Sequence, residues 1–160
     1  MTISFVIPAY NEERCIGPCL ASVLRQSHAY GRDVEIIVVD NACTDRTAAI
    51  AAAMPGVRVV RELRKGLAFA RQAGYRASHG DLLACIDADS ILKRGWIERA
   101  VRSFERDPRL AALSGPCFYY DLSSLTHIIV VLWSVVAVVL FGYLFQFVFR
   151  KSAMMQGGGY

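Results

Sequence analysis

Short runs of branched apolar residues alternate along this chain with segments whose apolar positions recur every three to four residues. Ile3-Ser4-Phe5-Val6-Ile7, Val34 to Val39, Val57 to Val60 and Leu82 to Ile86 have the length and bounds of buried strands. Between them, Ile16, Leu20, Val23 and Leu24 recur at i, i+4, i+7 and i+8, which predicts one apolar helical face. Pro18 is compatible with that helix only in its first turn. An alanine-rich helix is predicted over Thr47–Ala53, with capping side chains offered by Asn41 to Asp45 and a stop at Met54-Pro55-Gly56. Gly66 to Ser78 reads as a helix carrying Gly66, Ala70, Gly74 and Ala77 nearly in line, a small-residue stripe suited to close packing on a sheet. Trp96, Ile97, Ala100, Val101 and Phe104 mark a further amphipathic helix, and Leu110 to Ser114 a further strand. Strands alternating with helices imply an α/β fold, a mostly parallel sheet with helices on both faces.

In an open sheet of this kind ligands bind outside the carboxyl ends of the strands. Three strands end there in polar residues: Pro8-Ala9-Tyr10-Asn11-Glu12, Asp40-Asn41 and Asp87-Ala88-Asp89. Tyr10 offers a flat ring for stacking on a base. Asp40 can accept from a ring N–H, and Glu12 from ribose hydroxyls. Arg64, Lys65 and Arg71 are cations that can meet a diphosphate. Asp87 and Asp89, one residue apart, repel each other unless a positive charge sits between them, and a divalent cation supplies one most directly. A solvated acidic turn is the plain alternative for Asp-x-Asp alone, and a cap or turn role is the plain alternative for a Tyr or Asp at one strand end. The shared edge is what favours a ligand site.

Composition changes this picture in two places. The net charge of +4 is mild and no basic cluster is interleaved with aromatics, so nucleic acid is not an expected partner. No Gly-x-Gly-x-x-Gly follows the first strand and no Walker-type loop appears, which argues against nicotinamide, flavin and P-loop chemistry. The five cysteines are scattered and form no zinc set; Cys85 reads as a small core residue. The amino terminus lacks the pattern of a secretory leader. Mean hydropathy is +0.34, and most of the excess lies late in the chain. Ile128 to Phe149 holds no charged residue over 22 positions, and Arg150 and Lys151 follow at once. By length this is a membrane candidate. The expectation is membrane contact without one complete crossing, on the cytoplasmic face.

The motifs together resemble the inverting family 2 glycosyltransferases. The resemblance rests on Phe5-Val6-Ile7-Pro8-Ala9-Tyr10-Asn11-Glu12-Glu13 and on Ile36 through Asp40-Asn41-Ala42-Cys43-Thr44-Asp45. It continues through Lys65-Gly66-Leu67-Ala68-Phe69-Ala70-Arg71-Gln72-Ala73-Gly74 and through Gly80-Asp81 to Asp87-Ala88-Asp89. It implies a Rossmann-like, nucleotide-sugar-binding GT-A fold, to which the uncharged run adds a late apolar helical segment. The implied division is a donor-binding domain over 1–125, a membrane-associating segment over 126–150 and the start of an acceptor-side segment over 151–160, where Gln156-Gly157-Gly158 resembles the family's glycine pair. The implied roles are Pro8, Ala9, Tyr10 and Glu12 on the nucleoside, Asp40 on the base, and Lys65 and Ala88 beside the nucleotide-sugar. Asp87 would contact the ribose or a metal-bound water, and Asp89 would ligate Mg²⁺ or Mn²⁺. Gln72 and Cys43 depart from the residues usual in the family. The family's general base follows the glycine pair and is expected beyond Tyr160, so the chain reads as the front of a longer enzyme. The expected activity is metal-dependent, inverting transfer of a sugar from a nucleotide-diphosphate donor to a polysaccharide, lipid or protein-glycan acceptor. The alternative is a non-catalytic nucleotide-sugar-binding or membrane scaffold protein.

Overall fold

The computed structural model of the chain describes residues 1–114 and the single positions Thr126, Leu132, Trp133 and Val136, which are helical. Among the described residues the elements run β1 (Ile3–Ala9), α1 (Ile16–Tyr30), β2 (Val34–Asp40), α2 (Thr47–Ala52), β3 (Val57–Arg61), α3 (Leu67–Ala77), β4 (Leu82–Cys85) and α4 (Trp96–Arg106). Met1–Leu110 forms one unit and Ala111–Tyr160 another. The four strands are parallel in the order β3-β2-β1-β4. This is the mostly parallel, Rossmann-like arrangement that the alternation of patterns predicts.

Each element follows from its residues. All of β1 is buried, as its unbroken apolar run requires of a central parallel strand. Pro18 is the third residue of α1, inside the first turn, where its missing N–H has no helical acceptor to lose. Gly31 ends that helix in the left-handed conformation, with its N–H on the Ser27 carbonyl. Helix α2 begins after Arg46 without a side-chain bond from that residue; Asp45 Oδ1 instead accepts the Thr47 N–H at 2.9 Å.

The sheet is covered on both faces. On one, Phe5, Ile7, Ile36 and Val38 pack with Ile16, Leu20 and Val23 of α1, Ala51 of α2, and Ile97 and Val101 of α4. On the other, α3 lays Ala70 against Val6, Ile37 and Val39. Gly74 makes that approach possible: a Cβ there would stand 2.2 Å from Val6 Cγ1. Ala70, Gly74 and Ala77 of the small-residue stripe therefore serve packing, whereas Gly66 is exposed and precedes the helix.

Two expectations fail. Cys85 is exposed, because period-two alternation turns Ala84 into the α1-side core and Leu83 and Cys85 to the other face, where α3 packs on β1, β2 and β3. Leu110–Ser114 has no regular secondary structure. A strand needs a paired neighbour, and among the described residues none pairs with these. The segment Ile128–Phe149 and the glycines Gly157 and Gly158 lie almost wholly outside the described residues. No helix among the described residues is long and apolar enough to cross a membrane.

Candidate functional site

Register brings the polar strand ends to one edge. Ala9 stands opposite Asp40, and Asp40 opposite Arg61. Val6 pairs with Cys85, and Ile86 still donates to the Val6 carbonyl, so Asp87 to Asp89 leave β4 alongside the last residues of β1.

A cavity of about 290 Å³ opens here. Pro8, Ala9 and Tyr10 from the end of β1 form one wall, and Asn41 from the end of β2 the base. Lys65, Gly66, Leu67 and Ala70, from the β3–α3 loop and α3, form the other wall. Four of the residues expected from the sequence, Pro8, Ala9, Tyr10 and Lys65, thus share one lining. Across the mouth the Lys65 ammonium donates to the Tyr10 hydroxyl at 2.9 Å and lies 4.9 Å from the ring centroid. Tyr10 is 47% exposed, which leaves ring surface open for stacking.

Asp40 stands beside this cavity rather than on its lining. It is buried; its Oδ1 accepts the Cys43 N–H at 2.8 Å, and its Oδ2 lies 3.7 Å from Arg61 Nε. Arg64, one of the cations expected at a diphosphate, is engaged elsewhere. Its guanidinium forms a two-bond pair with Glu62 at 3.0 and 2.8 Å and lies over the Phe69 ring. Those bonds hold the Glu62 carboxyl down at about 2. Lys65 is therefore the loop cation that faces the cavity.

The second group of expected residues forms an acidic cluster at the start of α1. Ile86, Ala88 and Leu92 point into the core, so the residues between them, Asp87 and Asp89, turn outward. A small residue between the two carboxylates is required because that position is buried, with Ala88 4% exposed. Burial, and then the negative charge of Asp89, push the Glu12 pKa up, which places those two carboxyls in one electrostatic neighbourhood. Burial, and then the charges of Asp89, Cys15 and Asp87, raise the Cys19 thiol to about 12, so it stays a neutral core group. Arg71 of α3 reaches Asp87 at 3.4 Å and links the cluster to the cavity side.

Among the described residues no three acidic, His or Cys side chains gather closely enough to cage a metal. Magnesium and manganese at diphosphates are commonly held by one or two carboxylates plus phosphate oxygens, so Asp87 and Asp89 on one loop fit that donor set.

Several supporting residues carry no functional signal in the sequence. Thr47 Oγ1 accepts the Glu12 N–H at 2.8 Å, and Asp45 Oδ2 accepts the Glu13 N–H at 3.1 Å. The Cys43 thiol accepts from Asn11 N–H at 3.4 Å and donates to the Ala9 carbonyl at 3.3 Å. Asn11 and Ala42 adopt left-handed backbone, φ 56° and 57°. Only their place in the polar strand-end turns hinted at this scaffolding role, and spacing alone does not tell which loop each side chain will tie.

The family model described as "Glycosyl transferase family 2" matches residues 4–150. An uncharacterized glycosyltransferase, EpsJ of Bacillus subtilis, is 30% identical over 109 residues, covering 66% of this chain and 31% of EpsJ. A mannosyltransferase from Pyrobaculum calidifontis, solved with GDP-Man and Mn²⁺, superposes with a TM-score of 0.65 at 28% identity, over 72% of this chain and 35% of that one. Glucosyl-3-phosphoglycerate synthase from Mycobacterium tuberculosis, solved with Mn²⁺, UDP and phosphoglyceric acid, gives 0.52 at 32% identity, over 65% and 38%. The chain thus spans about a third of the length of the relatives it matches.

Proposed function

Because the chain belongs to glycosyl transferase family 2, we propose that its strand-end cavity binds the nucleotide of a sugar donor and that the sugar is transferred to an acceptor with inversion. The observation that carries this reading is the shared lining: Tyr10 and Lys65 in contact on one cavity, with the Asp87–Asp89 loop leaving the adjacent strand. The base stacks on Tyr10, and Lys65 meets the negative charge of the diphosphate. Asp40 orients the base from the cavity rim, Glu12 takes ribose hydroxyls, and Ala88 keeps the backbone beside the sugar close-packed. Asp89, with Asp87, holds Mg²⁺ or Mn²⁺. Held there, a divalent ion would supply neutralisation of the charge on the leaving diphosphate. The bond from the anomeric carbon to the phosphate oxygen breaks as an acceptor oxygen bonds from the opposite face, its proton passing to a base on the acceptor side. The two solved relatives named above, with GDP-Man or UDP and with Mn²⁺, support the donor class and the metal.

Titration calorimetry with UDP and GDP, in Mn²⁺ and in EDTA, tests the reading. Affinity in EDTA is expected to fall at least about tenfold, the scale of one lost charged interaction. Asp89→Ala is expected to abolish the difference. Asp81→Ala, whose carboxylate takes the Thr2 N–H at 2.8 Å at the far end of β4, is expected to preserve it. Equal affinity with and without metal sinks the metal assignment.

Residues 128–149 are proposed to bring the chain to the cytoplasmic face of a membrane, and Leu132 and Trp133, helical and 64% and 72% exposed, support that reading. Flotation with phospholipid vesicles checks it: the full chain should rise with the lipid and a chain lacking 128–149 should not. Equal flotation of both removes the segment's role.

A further inference from the structure

Asn41 is buried at 4% exposure at the turn where β2 meets the cavity, and both of its side-chain N–H donors and its side-chain oxygen are engaged. Its Nδ2 donates to two carbonyls, Glu62 at 3.2 Å and Arg64 at 2.7 Å, while Oδ1 accepts the Gly66 N–H at 2.8 Å. Its own backbone N–H goes to the Ala9 carbonyl at 3.0 Å. Asn41 thus ties three places together, the end of β1 through its backbone N–H and the β3–α3 loop and the N-cap of α3 through its side chain.

The loop needs such a tie. Glu62 is also held by its N–H on the Asp40 carbonyl. Beyond Glu62 the loop must turn through Gly66, at φ 135°, a conformation open to glycine and strained for other residues. Asn41 grips the backbone on both sides of Lys65, at Arg64 and at Gly66. That grip sets where the Lys65 ammonium lies against Tyr10.

We propose that Asn41 is a positioning residue for donor binding: by fixing the Arg64–Gly66 backbone it presents Lys65 to the diphosphate and keeps the cavity wall in place. The proposal rests on the donor reading above. The residue type is specified by chemistry. Aspartate has the same shape and can still accept from Gly66, but it turns a carboxylate oxygen onto two carbonyl oxygens. Alanine leaves all three backbone groups without this partner.

The experiment measures UDP and GDP binding in Mn²⁺ by calorimetry, and amide exchange at Gly66 by NMR, for the unaltered chain, Asn41→Asp, Asn41→Ala, Lys65→Met and Asn41→Ala with Lys65→Met. Both Asn41 variants are expected to weaken nucleotide binding about tenfold, as loss of buried hydrogen bonds at a site does; Asn41→Ala is also expected to deprotect the Gly66 amide, whereas Asn41→Asp keeps that acceptor. In the Lys65→Met background, Asn41→Ala is expected to cost less than about threefold, because two residues acting through one contact are not additive. Fully additive losses overturn the proposal, as does weakened binding in Asn41→Ala with Gly66 still protected. Unchanged binding in both Asn41 variants overturns it alone, leaving the donor reading intact. If neither variant folds, Asn41 serves the fold and the positioning role is wrong. If the unaltered chain binds neither UDP nor GDP, the donor reading fails first and carries this inference with it.

Discussion

Ala42 is the residue on which the local chemistry of the site is most strained. Its φ of 57° puts a Cβ into left-handed backbone between Asp40-Asn41, which anchor the strand end, and Cys43, which ties Asn11 and Ala9. Such a conformation costs a non-glycine residue roughly 1–2 kcal/mol, and glycine's greater freedom in the unfolded chain returns part of that difference. Ala42→Gly is therefore expected to stabilise the fold by about 0–1 kcal/mol, read from the denaturant midpoint. A clear loss of stability would mean that the alanine methyl makes a contact worth more than the strain. Asn11, at φ 56°, is different: its Oδ1 accepts the Thr44 N–H at 2.8 Å, so its side chain helps hold the turn. The sequence displayed both residues inside polar turns, but a backbone angle is decided by the loop that the turn has to make.

At the level of elements, α3 is fixed by the closest helix-to-sheet contact among the described residues for which a glycine is responsible. Two effects oppose each other at Gly74. Alanine is about 1 kcal/mol better than glycine in a helix interior. A Cβ 2.2 Å from Val6 Cγ1 and 3.1 Å from Val39 Cγ2, however, forces the helix off the sheet, and overpacking of this kind costs typically 1–3 kcal/mol. The second effect wins. Gly74→Ala is expected to lower stability by about 0–2 kcal/mol, and Val6→Ala in the same chain should recover part of the loss in thermal melts. A stabilised single variant would show that α3 is free to shift. The stripe of small residues was legible in the sequence because it depends only on helical spacing. That its partner would be Val6 was not, since only strand order sets β1 under α3.

Across the whole molecule, the edge of the sheet away from the cavity is closed by Glu35. Burial pushes its carboxyl up, but bonds from the Ser4 hydroxyl, the His79 N–H, the Arg58 guanidinium and the His79 ring outweigh it and hold the pKa at about 2. These partners come from β1, β3 and the α3–β4 connection, so one carboxylate joins four segments. With the folded value below the ordinary carboxyl value, the stabilisation is complete above about pH 4.5 and is lost as pH falls from there towards about 2. At 27% side-chain exposure its contribution is about 1–3 kcal/mol. Glu35→Gln should lower stability at pH 7 and flatten its decline between pH 4.5 and 2 in urea titrations; an unchanged acid limb would assign that decline to other carboxyls. By itself, the sequence determined the alternation of parallel strands and helices, because burial periodicity is local and each apolar run is long enough to declare itself. It also marked Pro8, Ala9 and Tyr10 at a strand end and Lys65 in a later loop, and these four line one cavity because loops and strand ends in such a sheet share an edge. Only the tertiary structure decided that Cys85 faces outward, that Leu110–Ser114 is not a strand, that Arg64 is engaged by Glu62, and that Asn41 grips the loop beneath Lys65. Each of these depends on which distant segment lies alongside, and pairing between segments far apart in the chain is fixed by packing and register rather than by the residues next to them.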